Sequence, residues 1–570
     1  MSKKEIIFIV SILIFTFFSR VFLLEKRGLL GDEKYSVLVS QFLVQEGTNQ
    51  TESLRNPNSQ FFTSKQFWAK KNHGDFLNAM ARRENGSGAA YFLLLHYWSQ
   101  TFGLSDFSLR FPSLLFGLGS IFLLFLFTKK LFPSYPKSPF IVIILAACSP
   151  FLLVYHQLAR NYSMTIFLVL LSTYLFWLLV HSTKPFYKSF YFWAYSISIT
   201  FTIFGHHSAI VVVVLHGFLV LTTLDFKKII PWGLTLLLPV SLFYSWSTSE
   251  GGKYTLDFVK NSKIQYLELA KTGLDKAVQF STYSSISKQF LAVFSHLYFP
   301  ISGISAYLFG SKNLLLAFLL SIFIFIFFKY FSNSKKIGIV LLGFVILSSF
   351  LFSFSPLQFI ALSFGTALLF VVLDLMLKHF KDYNWRLCVV LGIFPILFLV
   401  LYAIMDGITM RINPRYASFA YLFLLILTAI SIETVYNKNK MLSLISMIFI
   451  LGGIILTEWL KIIEDRPTNY FQYVAEPRTT NPYYFLAQKI EKEIETGDTL
   501  VFCSQMLPKL GGKSVGPVFS LQDAQYTNLY LKKNGTFIQT YNLNETNKVF
   551  IVNSKRRKKL ELIDLTYLRY

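Results

Sequence analysis

Two adjacent carboxylates, Asp32 and Glu33, stand in the stretch Gly28-Leu-Leu-Gly-Asp-Glu-Lys-Tyr-Ser36, directly after the first apolar run of the chain, Ile6 to Leu24. A run of that length can cross a bilayer as a helix, and the two acids lie about two helical turns past its end. Carboxylates at that height suit work on a polar group carried by a lipid: one can take a proton from an acceptor hydroxyl or hold a metal ion. A solvated loop after a membrane anchor is the plainer alternative.

Four arginines sit at comparable depth. Arg110 stands at the very start of the second apolar run, Arg160 follows the third, and Arg411 and Arg415 precede the twelfth. Arginine keeps its charge and presents a planar fork matched to phosphate oxygens. Ionisable groups at membrane depth are costly and mark functional sites. Snorkelling, or a structural pair with Asp32, Glu33, Glu84 or Asp106, is the competing account. His206-His207 follow the fifth run at the same face. Such a pair suits a metal or a phosphate hydrogen bond, although neighbouring residues do not share a helix face. Glu84 stands just before the apolar segment Ala89 to Trp98, beside Arg82 and Arg83.

The elements that must position these groups are membrane spans. Of the 570 residues, 54% are hydrophobic and 62 are Phe, and the mean hydropathy is +0.50. A soluble protein of this size cannot bury that much apolar side chain. Thirteen runs read as spans: 6–24, 109–128, 139–155, 163–181, 190–205, 209–224, 231–247, 313–331, 337–354, 358–377, 386–404, 416–436 and 441–460. Met1 to Leu24 has no small-residue cleavage site after Arg20, so it reads as a retained first span rather than a leader.

The formal charge of +24 comes from Lys and Arg spread through short loops, which excludes nucleic acid as the natural partner and indicates membrane topology and anionic lipid. Lys3, Lys4, Lys129, Lys130, Lys137, Lys184, Lys188, Lys227, Lys228, Lys329, Lys335, Lys336, Lys378, Lys381, Arg386, Lys438 and Lys440 fall on one side. The positive-inside rule makes that side cytoplasmic, and an odd number of spans places the carboxyl-terminal segment outside. Cys148, Cys388 and Cys503 are far apart and form no disulfide or zinc pattern.

The expected organisation is a transmembrane catalytic domain, 1–460, with outer loops 25–108 and 248–312, and a small outer α/β domain, 461–570. Within the last, residues 484–496 read as a helix and 499–504, 537–541 and 549–553 as strands.

The motifs together resemble the GT-C glycosyltransferases, nearest to the protein O-mannosyltransferases and the lipid A aminoarabinose transferases. Gly31-Asp32-Glu33-Lys34-Tyr35-Ser36 resembles their Asp-Glu loop. Tyr91 to His96 with Phe102 to Ser113 resembles the second motif block, and Gln157-Leu-Ala-Arg160-Asn-Tyr162-Ser the Arg-x-Tyr segment. Gly205-His206-His207 and Asn413-Pro414-Arg415-Tyr416 look like the later His and Arg-Tyr motifs. The match is good through the sixth span and weak beyond. It departs at Glu84-Asn-Gly-Ser-Gly-Ala-Ala-Tyr91, which lacks the family's proline pair, and the first loop is longer than the family pattern.

The resemblance implies a polytopic α-helical GT-C-like fold in a bacterial cytoplasmic (inner) membrane. It implies transfer of a sugar from a polyprenyl-phosphate-linked donor to an acceptor protein or glycolipid, with inversion. Asp32 would be the base and Glu33 its neighbour or a metal ligand. Arg160 and Arg415, with Tyr162, and behind them Arg110 and Arg411, would hold the donor phosphate. Glu84 with His206 or His207 would hold a divalent cation, the one cofactor implied. A transporter or flippase of lipid-linked sugars is the alternative from another class; it would carry internal repeats and interrupted spans.

Overall fold

The computed structural model describes residues 2–44, 63–84, 87–182, 188–223, 228–273, 278–302, 311–330, 335–352, 355–468, 470, 478–495, 497–503, 518–531, 538–542, 548–552 and 559–564. The chain is a polytopic α-helical membrane protein. All thirteen apolar runs are largely helical, but 139–155 is broken at Cys148-Ser149 into Ser138–Ala147 and Pro150–Tyr155, and 231–247 is broken at Leu236. Seven helices among the described residues are long and apolar enough to cross a membrane: Asp106–Leu131, Tyr162–Val180, Lys312–Tyr330, Pro356–His379, Tyr383–Asp406, Ala420–Lys438 and Lys440–Glu464. An eighth is the pair Ile229–Thr235 and Leu237–Thr248, bent by 41°. Pro239 causes the bend: it has no N–H to give the Thr235 carbonyl, and the Ser196 hydroxyl donates to that carbonyl instead, at 2.7 Å. The remaining runs are shorter helices, or, in Lys3–Val21, one that carries Lys4, Glu5 and Arg20.

Ala420–Lys438 is the central helix, with 83% of its apolar window buried. Ser138–Ala147, Tyr383–Asp406, Pro356–His379 and Lys440–Ile454 pack around it. Tyr421 on this helix stacks on Phe151, centroids 4.6 Å apart, and its hydroxyl meets that of Ser149 at 2.6 Å. At its other end the buried Glu433 carboxylate accepts from the Lys137 and Ser138 N–H groups at 3.1 and 2.7 Å, a negative charge at a helix start. Three of the lysines expected on one side are ion-paired: Lys129 with Glu5 at 2.6 Å, and Lys329 and Lys378 both with Asp374 at 2.9 and 2.5 Å. Glu5 opens the first helix, so the residues following Val21 emerge at the opposite end.

At that end the helices Gly31–Ser40, His73–Glu84 and Ala89–Phe102 lie against an α/β unit near the carboxyl terminus. Its sheet has the order β2-β1-β3-β4, where β1 is Thr499–Cys503, β2 Ile538–Asn542, β3 Lys548–Val552 and β4 Lys559–Asp564. β1 runs parallel to β2 and antiparallel to β3, which is antiparallel to β4. The first three strands and the helix Pro482–Glu493 lie within two or three residues of their expected places, whereas β4 and the helix Val518–Asn528 were not expected. Leu38, Val39, Phe76 and Leu95 from the first loop share one apolar core with Leu486, Ile490, Leu500 and Leu521.

Helix packing within the bundle leaves little room at some glycines. A Cβ on Gly117 would lie 2.4 Å from Nδ1 of the fully buried His156. Gly117→Ala is expected to cost about 1–3 kcal/mol through overpacking, whereas Gly343→Ala, which meets nothing within 4 Å, leaves thermal unfolding of the detergent-solubilised protein unchanged. Equal melting of the two variants would show that His156 yields freely.

Candidate active site

The segment bearing Asp32 is fixed before it becomes helical. Gly28 is pressed against the chain at residue 479, where a Cβ would fall 1.9 Å from the Thr479 carbonyl oxygen. Its N–H donates to the Arg478 carbonyl at 3.0 Å, and its own carbonyl accepts from Arg478 Nε at 2.9 Å. The helix Gly31–Ser40 then starts with Asp32 and Glu33 in its first turn, where the exposed N–H groups favour negative charge.

Successive side chains on a helix point about 100° apart, and the two acids part accordingly. Glu33 turns inward and is fully buried. Arg110 grips it with two hydrogen bonds, Nε to Oε1 at 2.7 Å and Nη2 to Oε2 at 2.8 Å. The Ala159 and Leu30 N–H groups add two more at 2.8 and 2.7 Å. Burial works to raise the Glu33 pKa, but Arg110 and these donors outweigh it and hold it below the usual carboxylate value. Arg110 spends its remaining donors on the carbonyls of Leu24, Arg27 and Gly28 at 2.6, 2.5 and 3.1 Å. Two expectations are corrected here. Glu33, expected beside the base or at a metal, and Arg110, expected at the donor phosphate, are instead each other's fully buried partner.

Asp32 turns outward, its side chain 29% exposed. Arg415 Nη1 donates to Asp32 Oδ2 at 3.3 Å, while Arg160 Nη1 donates to the Asp32 carbonyl and to Ser36 Oγ, both at 3.1 Å. Asp32, Arg160 and Arg415, distant in sequence, therefore meet. Arg160 is placed by Ala159, whose N–H is tied to Glu33. Arg415 is placed by Asn413, whose side chain accepts from the Arg415 N–H at 3.1 Å and caps the short turn Pro414–Ala417. Its Nη2 donates to the Tyr416 hydroxyl at 3.2 Å. Burial lowers the Arg415 pKa, but Tyr162, Tyr416 and Asp32 overcome this and raise it.

Tyr162 is buried beside Arg160, whose guanidinium lies 5.7 Å from its ring, and the His206 ring is 5.9 Å away. His206 is also 6.0 Å from the Tyr416 ring. Its Nδ1 accepts from the Ser208 N–H at 3.1 Å, which leaves the proton of the neutral ring on Nε2. Burial, then His207, Arg160 and Arg415, push its pKa down to about 3. His206 is thus a neutral neighbour of the arginine pair.

His207 goes elsewhere, against Phe243 and Trp246 at 5.9 and 4.9 Å, and burial lowers its pKa to about 4. Arg411 is drawn away to Asp406 at 3.5 Å and lies 5.7 Å from the Tyr402 ring. The two histidines diverge, and no group of three His, Cys, Asp or Glu side chains placed to hold a metal occurs among the described residues; the Glu84 side chain, the other part of the expected cation site, lies outside them. Ser36, Asn413 and Ser208 were not singled out in the sequence; a helix position one turn beyond Asp32 was the signal available for Ser36.

No family model matches the chain, and neither does any curated protein. Among solved structures, the chain is similar over 94% of its length to the oligosaccharyltransferase of Archaeoglobus fulgidus in complex with Zn and sulfate, at 11% identity and a TM-score of 0.47. It covers 62% of that chain. Over 92% of its length it is similar to ArnT of Cupriavidus metallidurans bound to undecaprenyl phosphate, at 12% identity and a TM-score of 0.38, covering 85% of that chain.

The buried pair makes a measurable claim. Arg110→Met strands the Glu33 charge and is expected to cost about 3–5 kcal/mol. Adding Glu33→Gln removes that charge and should recover most of the loss. Thermal unfolding of both variants in detergent checks this, and an additive second loss would refute the pairing energetics.

Proposed function

We propose that the chain is a membrane glycosyltransferase that moves a sugar from a polyprenyl-phosphate-linked donor to an acceptor hydroxyl at the outer face of a bacterial cytoplasmic membrane. One observation carries this reading: a half-exposed carboxylate, Asp32, stands against two arginines, Arg160 and Arg415, at the end of the bundle away from the lysine-rich side. The motif resemblance supports the same roles. The acceptor oxygen attacks the anomeric carbon while the bond from that carbon to the phosphate oxygen breaks. The bonding pair leaves with the phosphate, and the hydroxyl proton passes to Asp32. Arg160 and Arg415 stabilise the charge gathering on the departing lipid phosphate, and Nε2–H of His206 is a further donor beside them. Base and leaving group on opposite faces of the sugar give inversion.

The transport alternative calls for a charged or ion-binding break in a span. The bent span 229–248 contains no Asp, Glu, Lys, Arg or His and owes its bend to Pro239, so it does not supply one.

In membranes holding lipid-linked sugars, Asp32→Asn should lower transfer about 10²–10⁴-fold, the range for loss of a general base, with the protein level unchanged. Thin-layer analysis of donor consumption reads this directly; near-normal turnover removes Asp32 from the base role. Arg415→Ala should raise the apparent KM for the donor much more than that for the acceptor, and equal shifts in both would count against a phosphate contact.

A further inference from the structure

A second cavity, of about 1000 Å³, opens at the far end of the helix that carries Asp32. Gln41, which ends that helix, lines it, so it lies about 14 Å along the helix axis from Asp32 at 1.5 Å per residue. One wall comes from Ala89–Phe102 through His96, Gln100 and Phe102; the other comes from Pro482–Glu493 and the turn after Val518–Asn528 through Tyr484, Phe485 and Tyr530. The cavity therefore exists only because the first loop and the α/β unit meet.

Its lining is aromatic and amide-rich with little charge. Phe102, Tyr484 and Phe485 are 59%, 44% and 59% exposed, which is unusual for rings of this size unless something covers them. Beside them the polar groups are held in place. Gln41 Nε2 donates to Ser99 Oγ at 2.8 Å, His96 Nδ1 meets the Ser40 carbonyl at 2.7 Å, and its ring stacks on Phe42 at 4.3 Å. Tyr530 donates its hydroxyl to the Leu104 carbonyl at 2.8 Å. Two of the four non-glycine residues with positive φ among the described residues, Phe42 at 60° and Asn481 at 43°, also line the cavity. Left-handed backbone at a bulky residue such as Phe42 is costly and collects at binding sites.

We propose that this cavity is an oligosaccharide-binding cleft that holds the distal part of a glycan acceptor, a role resting on the transferase reading above. Flat exposed rings match the apolar faces of pyranose units, and amide side chains, each offering donors and an acceptor, match arrays of hydroxyls that do both. The volume exceeds that needed for one sugar, and the distance to Asp32 requires an acceptor several units long. A peptide is disfavoured on two counts. The lining is helical side chain and turn, with no open strand edge to pair a peptide backbone. Lys70 and Lys71 outnumber Glu25 by one charge, a weaker field than the basic clusters that recognise acidic segments.

The test uses the full chain purified in detergent, with fluorescently labelled linear oligosaccharides of two to six sugars, acidic twelve-residue peptides, and undecaprenyl phosphate as separate probes. At least one oligosaccharide should bind, with affinity rising with length. Phe485→Ala and Gln100→Ala should each weaken it tenfold or more and leave undecaprenyl phosphate binding unchanged. Arg415→Ala should do the reverse. Absence of any saccharide binding, preference for the peptides, or saccharide binding indifferent to both cleft variants overturns the cleft while leaving the donor site standing. Undecaprenyl phosphate binding that ignores Arg415→Ala, with saccharide binding intact, would instead sink the donor assignment alone.

Discussion

The arrangement depends on a charge pair that water does not reach. Glu33 and Arg110 are both fully buried, and taking two such ions out of water costs several kcal/mol each unless every donor and acceptor finds a partner. Here the carboxylate receives four hydrogen bonds and the guanidinium gives five, three of them to backbone carbonyls between Leu24 and Gly28. Such a pair adds little net stability over an apolar core, but it tolerates one geometry only. It fixes the exit from the first helix, the start of the second span and the segment 159–160 against one another. Arg160 is thereby delivered to Asp32 by way of a carboxylate that is itself fully buried.

The second constraint comes from outside the bundle. Lys34, next to Glu33, is almost wholly buried and lies 5.2 Å from the Tyr483 ring and 6.0 Å from that of Tyr526. Burial lowers its pKa to about 8, with Asp523 acting against the shift and Arg478 adding to it. Asp106 and Asn481 exchange backbone-to-side-chain bonds at 3.0 Å in both directions, and Gln525 reaches the Val44 carbonyl at 2.9 Å. Three consecutive residues, 32 to 34, thus face three environments: the open site, the bundle core and the α/β unit. A helix held from two sides leaves its third face, the one bearing Asp32, little freedom to move.

Hydrophobic runs exposed the helices readily, since a 3.6-residue repeat is not even needed when a span is apolar all round. Strands β1 to β3 were legible from their β-branched and aromatic runs, whereas Lys559–Asp564, with alternating charges, offered no such signal. The arginines were harder. All four carried the same sequence signature, an isolated guanidinium at a membrane edge, yet the structure gives Arg110 to Glu33 and Arg411 to Asp406. The first pairing spans 77 positions, and nothing local distinguishes a guanidinium that will meet a carboxylate from one that will meet a ligand. For the histidines the outcome followed from geometry: adjacent residues diverge, and His206 and His207 do so.

Convergence of Asp32 with Arg415 carries its own mechanistic consequence. Oδ2 of Asp32 occupies an Arg415 donor, while Oδ1 has no hydrogen bond from the described residues. On the proposed reading, the carboxylate thus holds a guanidinium that a donor phosphate would also engage. A phosphate carries more charge and more acceptor atoms than a carboxylate, so an arriving donor lipid competes well for that guanidinium. Once displaced, Oδ2 is free to meet the acceptor hydroxyl. On the proposed reading Oδ1 stays open to an acceptor hydroxyl throughout, and seating the donor phosphate on Arg415 adds Oδ2 as a second basic oxygen rather than switching the base on.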